Sequence, residues 1–129
     1  MTVMKLRFHK NSLRFRLNRI EVSQLASGEK LVEEIWFPHS EQPFRYSLGV
    51  REAEATAQLE QSPAGIHVSL NLADVMAWAA SDELDLHRSL TDAREPLILM
   101  VEKDLVCVDG PAEERDPLAF PRAEQTVCN

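Results

Sequence analysis

Glycine is scarce in this chain, four in 129 residues. None is spaced for a phosphate loop or a dinucleotide fingerprint, both of which need several glycines so that backbone amides can approach a phosphate. There are two cysteines, Cys107 and Cys128, and no C-x-x-C pair. That excludes a disulfide framework and a cysteine zinc site, and it fits a reducing, cytoplasmic setting. The four histidines, His9, His39, His67 and His87, show no metal-ligand spacing. Serine occurs in no Gly-x-Ser-x-Gly elbow. Aromatic residues make up 6% of the chain, too few for a base-stacking platform. No apolar run approaches the roughly 18 residues of a membrane span. Charges interrupt every apolar stretch near the start, so no signal peptide is expected.

Acid is also absent from the first twenty residues, which hold Lys5, Arg7, Lys10, Arg14, Arg16 and Arg19. The remaining 8 basic residues (14 − 6) stand against 21 acidic ones, and the whole chain carries −7. Such asymmetry points either to an anionic partner at the basic end or to an internal match with acidic elements. The overall negative charge disfavours nucleic acid, because it repels a polyanion at long range.

The length suits one domain of ordinary composition. Met4, Leu6 and Phe8 alternate with Lys5, Arg7 and His9, and Leu13, Phe15 and Leu17 alternate with Arg14 and Arg16. Period-two alternation predicts two half-buried strands, joined by a turn at Lys10-Asn11. Asn18 to Glu21 has the form of a capping box, opening a short helix that Gly28 ends. Strands are predicted over 30–37, 44–50, 55–60 and 66–72. A second helix starts near Asn71, with Val75, Met76 and Ala79 on its apolar stripe. Residues 81–96 read as polar loop, 97–101 as a buried strand and 105–108 as one further strand. No internal repeat emerges. The expected fold is α+β: residues 1–110 form a single domain, a curled, mostly antiparallel sheet of six to eight strands, barrel-like or partly open, with two short helices. Residues 111–129 form a polar tail.

With a two-residue turn at Lys10-Asn11, Phe8 faces Leu13 and Leu6 faces Phe15. On the other face Arg7 lands opposite Arg14, and Lys5 opposite Arg16. Like charges directly opposite each other are destabilising, so something must neutralise them. The plainer solution is a neighbouring acidic strand, with Glu33, Glu34, Glu54 or Glu60 as candidates. The functional solution is a bound anion on Lys5, Arg7, Arg14 and Arg16. The first strand lacks the acids that a metal-dependent triphosphate site would add to such a cradle. Cys107, between Val106 and Val108, reads as a packed residue rather than a nucleophile. Glu102-Lys103-Asp104 reads as a charged turn, His67 as an exposed strand residue, and Asp82, Glu83, Asp85 and His87 as a solvated cluster.

Lys5-Leu6-Arg7, Asn11-Ser12-Leu13-Arg14-Phe15-Arg16-Leu17, and Glu21-Val22 with Leu25 are one group of residues that together carry a resemblance. Val101-Glu102-Lys103-Asp104 with Cys107 is the other. About a quarter of the chain in these segments resembles an uncharacterised family of small bacterial proteins, whose members often carry glycine where Lys10 stands. The resemblance implies a single small domain and transfers no catalytic residue. The expectation is a non-enzymatic binding or interaction domain without cofactor or metal, its partner a protein or a small anion. The alternatives are a phosphate, nucleotide or nucleic-acid binder using the basic hairpin, and a small enzyme using Cys107.

Overall fold

The computed structural model describes residues 4–52, 57–91 and 94–104. In chain order the elements are β1 (Lys5–His9), β2 (Ser12–Leu17), α1 (Arg19–Ala26), β3 (Leu31–Ile35), β4 (Phe44–Arg51), β5 (Ala57–Ser62), β6 (Gly65–Asn71), α2 (Leu72–Ala79), β7 (Asp85–Leu90) and β8 (Leu97–Lys103). The fold class is α+β. The strands form two four-stranded sheets, ordered β1-β2-β8-β7 and β3-β4-β6-β5, and neither closes into a barrel. Four of the six strand pairings among the described residues are antiparallel; β2 with β8 and β4 with β6 run parallel. The expected strand at 105–108, the tail at 111–129 and Cys107 lie outside the described residues.

The first hairpin has the predicted register: Lys5 opposite Arg16, Leu6 opposite Phe15, Arg7 opposite Arg14, Phe8 opposite Leu13. Lys10 takes the left-handed conformation (φ 51) that this tight turn demands. Leu13, Phe15 and Leu17 are buried and Leu6 is half-buried. Phe8 is the exception, 62% exposed. It stands near the outer end of an edge strand, where no described element covers it.

Helix α1 begins as predicted. The Asn18 side chain accepts from the Glu21 amide at 2.8 Å, and the Asn18 amide donates to Glu21 Oε1 at 3.0 Å. It ends with Gly28 at φ 93. Gly28 N donates to Leu25 O and Glu29 N to Gln24 O, each at 3.0 Å, which is the paired-carbonyl stop that a left-handed glycine makes possible. Asn71 caps α2 in the same way, accepting from the Asp74 amide at 3.0 Å.

Two expectations about the second half are corrected. Helix α2 buries Val75 and Trp78, whereas Met76 is 52% exposed and Ala79 half-buried. An eight-residue helix has one narrow inward stripe, and the large indole occupies it in place of the thioether. The segment 81–96 is not all loop, because β7 runs through it. Its inward positions are Leu86, Arg88 and Leu90, and the middle one breaks the apolar alternation. Arg88 is accommodated because its Nη2 meets Asp74 Oδ2 of α2 at 3.1 Å.

The chain also repeats itself, contrary to the sequence reading. Each half runs strand, strand, helix, strand, strand, and each central sheet pair joins the first hairpin of one half to the second hairpin of the other. The register follows an offset of 53 residues (71 − 18 for the two cap asparagines). Leu13 pairs with Leu99 and Ile66 with Tyr46; Leu17 pairs with Lys103 and Leu70 with Val50. Interleaving two hairpin pairs in this way forces the parallel ladders that an uninterrupted series of hairpins would not contain. The two sheets and both helices share one core, with Phe15, Leu17, Leu25, Leu48, Leu70, Leu99 and Val101 at its centre. Each of these large side chains contributes roughly 1.5–3 kcal/mol by leaving water.

Candidate functional site

The outer face of the β1-β2-β8-β7 sheet carries the four predicted cations. The strand next to β2 is β8, so the acids that reach them come from its end and not from Glu33, Glu34 or Glu60; Glu54 lies outside the described residues. Glu102 Oε1 is 3.8 Å from Arg14 Nε, and Asp104 Oδ2 is 3.9 Å from Lys5 Nζ. Both pairs are long and partly exposed, which makes each of them worth little. Arg7 and Arg16 have no ion-pair partner among the described residues. Across the sheet, Arg7, Arg14, Met100 and His87 form one row, and Lys5, Arg16, Glu102 and Asp85 the next. The face is therefore graded, basic on the hairpin and acidic at one corner.

Most residues carrying the sequence resemblance have structural duties. Asn11 Nδ2 donates to Pro96 O at 2.8 Å and to Glu95 O at 3.2 Å, stitching the first turn to the segment entering β8. Ser12 Oγ donates to His9 O at 2.5 Å. The predicted charged turn at 102–104 is instead a strand end with three clamps. Glu102 approaches Arg14. Lys103 Nζ donates to Trp78 O at 3.0 Å and Ser81 O at 2.8 Å. The Asp104 amide donates to Leu17 O at 2.7 Å. Lys103 thereby supplies a cation to the C-terminal end of α2, whose own last turn has no basic residue, and it lies 5.3 Å from the Trp78 ring centre.

The outer face of the second sheet holds a constellation that sequence reasoning missed. His67 on β6 is half-buried, not free in solvent. Ser47 Oγ is 2.6 Å from its Nδ1, and Ser69 Oγ is 3.1 Å from its Nε2. Burial, with the Lys30 cation nearby, holds the imidazole below its ordinary pKa, and Glu60 opposes the shift only in part. Gly49 makes room for the ring, since a Cβ there would lie 3.3 Å from His67 Cε1. A shallow cleft of about 440 Å³ opens beside it, lined by Lys30, Arg45, Ser47, Glu60, Ser62 and His67 among others. The sequence signal was the small polar alternation Ser47-Gly49 against His67-Ser69, which becomes a cluster only when β4 and β6 pair in parallel.

A second concavity, about 670 Å³, lies between the helices, with Val22, Ala26, Met76 and Ala79 on its walls and Arg19, Lys103 and Asp104 at its rim. Among the described residues, no three metal-ligating side chains gather. No described helix is long and apolar enough to cross a membrane.

No curated protein and no solved structure matches the chain. A family model does match, over residues 4–123. That match covers most of the chain, and the chain belongs to DUF7009, a family of unknown function.

Proposed function

We propose that the protein is a non-enzymatic binding domain that takes a compact, phosphate-class anion on the outer face of its first hairpin, with Arg7 and Arg16 as the principal contacts and Lys5 and Arg14 beside them. One observation carries this reading. Among the residues of the family-like motifs, Asn11, Ser12, Glu102, Lys103 and Asp104 have partners within the fold, while Arg7 and Arg16 have none among the described residues. Guanidinium groups on adjacent strands form a planar, multidentate donor set suited to phosphate oxygens. Two long ion pairs leave the hairpin face net positive. The wider negative charge of the chain favours a small anion over a polyanion. Two cysteines without dense spacing support a reducing, cytosolic setting of bacterial type as part of this reading.

The test is thermal unfolding of the wild type and of an Arg7→Gln/Arg16→Gln variant, in phosphate and in chloride at matched ionic strength, so that screening cannot mimic binding. Phosphate should raise the midpoint of the wild type alone. In chloride the variant should melt at or above the wild type, because repulsion has been relieved. No phosphate-specific rise in the wild type would overturn the reading.

A further inference from the structure

We propose that a second copy of this chain pairs with β3, forming a two-fold dimer through antiparallel β3–β3 contact. β3 is an edge of its sheet, hydrogen-bonded to β4 on one side only. Its other packing is against α1. The edges β5 and β7, by contrast, lie against each other. An unpaired edge is a template for another strand unless charge, proline or a cover blunts it. Here an exposed apolar run continues it: Val32 is 38%, Ile35 43%, Trp36 62% and Phe37 54% exposed. Phe37 is set edge-on against Phe44, ring centres 6.1 Å apart. These residues make a continuous apolar tip in a chain with few aromatics.

The charges then select a partner and a register. An antiparallel strand pairing with its own copy admits only registers in which facing residues have the same parity, since facing groups must both point into the new ladder or both away from it. Centring on Glu33 or on Glu34 sets a carboxylate against its own copy, and centring on Leu31 sets Glu33 against Glu29. Centring on Val32 sets Lys30 opposite the partner's Glu34, twice by symmetry, and leaves Trp36 just beyond the end of the ladder. Lys30 has no ion-pair partner among the described residues, and Glu34 meets Arg45 through one carboxylate oxygen only, at 2.6 Å. Opposite charges facing each other across strands are favourable, like charges are not. A self-complementary patch of this kind is what a two-fold interface requires. The ladder is short, so the aromatic tip must supply much of the roughly 800 Å² per partner that a stable dimer buries.

Sedimentation velocity on the full chain over a concentration series tests this, with circular dichroism confirming that each variant folds. Wild type should pass from monomer to dimer with rising concentration. Glu34→Lys should stay monomeric, because lysines then face each other. The charge swap Lys30→Glu/Glu34→Lys should recover the dimer, although it cannot recover the Arg45 pair, so recovery separates the interface from monomer stability. Trp36→Ser, which leaves every charge in place, should also weaken the dimer at least several-fold. A wild type that remains monomeric at the highest soluble concentration, or a dimer indifferent to Glu34→Lys, would overturn the proposal.

Discussion

Arg14 on β2 and His67 on β6 occupy the same position in the two halves of the chain, 53 residues apart. Each is the third residue of its strand's parallel ladder and precedes a capping asparagine by four positions, Asn18 and Asn71 respectively. The same correspondence sets Arg16 against Ser69, Met100 against Ser47 and Glu102 against Gly49. One architecture thus presents two equivalent outer faces with different chemistry. One is charged, with guanidinium groups short of partners. The other carries charges of both signs around a self-satisfied centre, an imidazole held between two hydroxyls.

His67 gives the protein a pH dependence. Its pKa in the fold lies below 6.5, chiefly through burial. The unfolded chain therefore binds the proton more readily, and stability is fully present above the unfolded value and is lost as pH falls through the folded one. The melting temperature should drop as pH falls below the ordinary imidazole value of 6.5. In His67→Gln that part of the slope should vanish. Identical slopes for the two proteins would contradict the assignment.

Gly65 cannot carry a side chain. Its φ is +156, and a Cβ there would lie 1.9 Å from the carbonyl oxygen of Arg45, the residue it pairs with across the parallel ladder. Gly65→Ala must push β4 from β6 or break the turn, at an expected cost above about 2 kcal/mol. Gly28→Ala meets no atom within 4 Å and suffers only from its φ, so it should cost about 1 kcal/mol. Urea midpoints of the two variants give the comparison.

Met76 and Trp78 of α2 should respond in opposite ways. Trp78→Ala empties a core position and is expected to cost about 3–5 kcal/mol. Met76→Asp changes an exposed residue at the mouth of the interhelical groove and should stay within about 0.5 kcal/mol. A severe loss from Met76→Asp in chemical denaturation would show that this helix docks on a different face.

Lys103 should matter more than a surface lysine. Lys103→Ala leaves Trp78 O and Ser81 O without their charged donor and uncovers the indole ring, for a loss of about 1–3 kcal/mol. Lys103→Arg should restore part of it. Equal stability of Lys103→Ala and wild type would show that solvent replaces the clamp.

Tyr46 links the sheets, its hydroxyl donating to Met4 O at 3.3 Å. Burial, with Glu33 and Glu21 nearby, raises its pKa above 10.0, which keeps the donor protonated. Tyr46→Phe should cost about 1 kcal/mol, read from the unfolding midpoint at neutral pH.

What the chain determined by itself was local. Alternation at residues 4–17 set the hairpin, its register and the facing of Arg7 by Arg14, because side-chain direction along a strand depends on parity alone. Asn18, Glu21 and Gly28 determined where α1 starts and stops, through bonds spanning three to five residues. Tertiary structure decided whatever joins distant segments. β7 was illegible because Arg88 sits inward, tolerable only once Asp74 of α2 comes beside it. The neutralising acids were misassigned because strand order, unlike parity, leaves no periodic trace, and β8 rather than β3 or β5 came to flank β2. The repeat is faint in the sequence because its halves share only cap positions, core parity and register, while the residues on their outer faces differ. His67 gained its serine partners only when β4 and β6 ran parallel, a pairing that depends on long-range packing and on no local pattern.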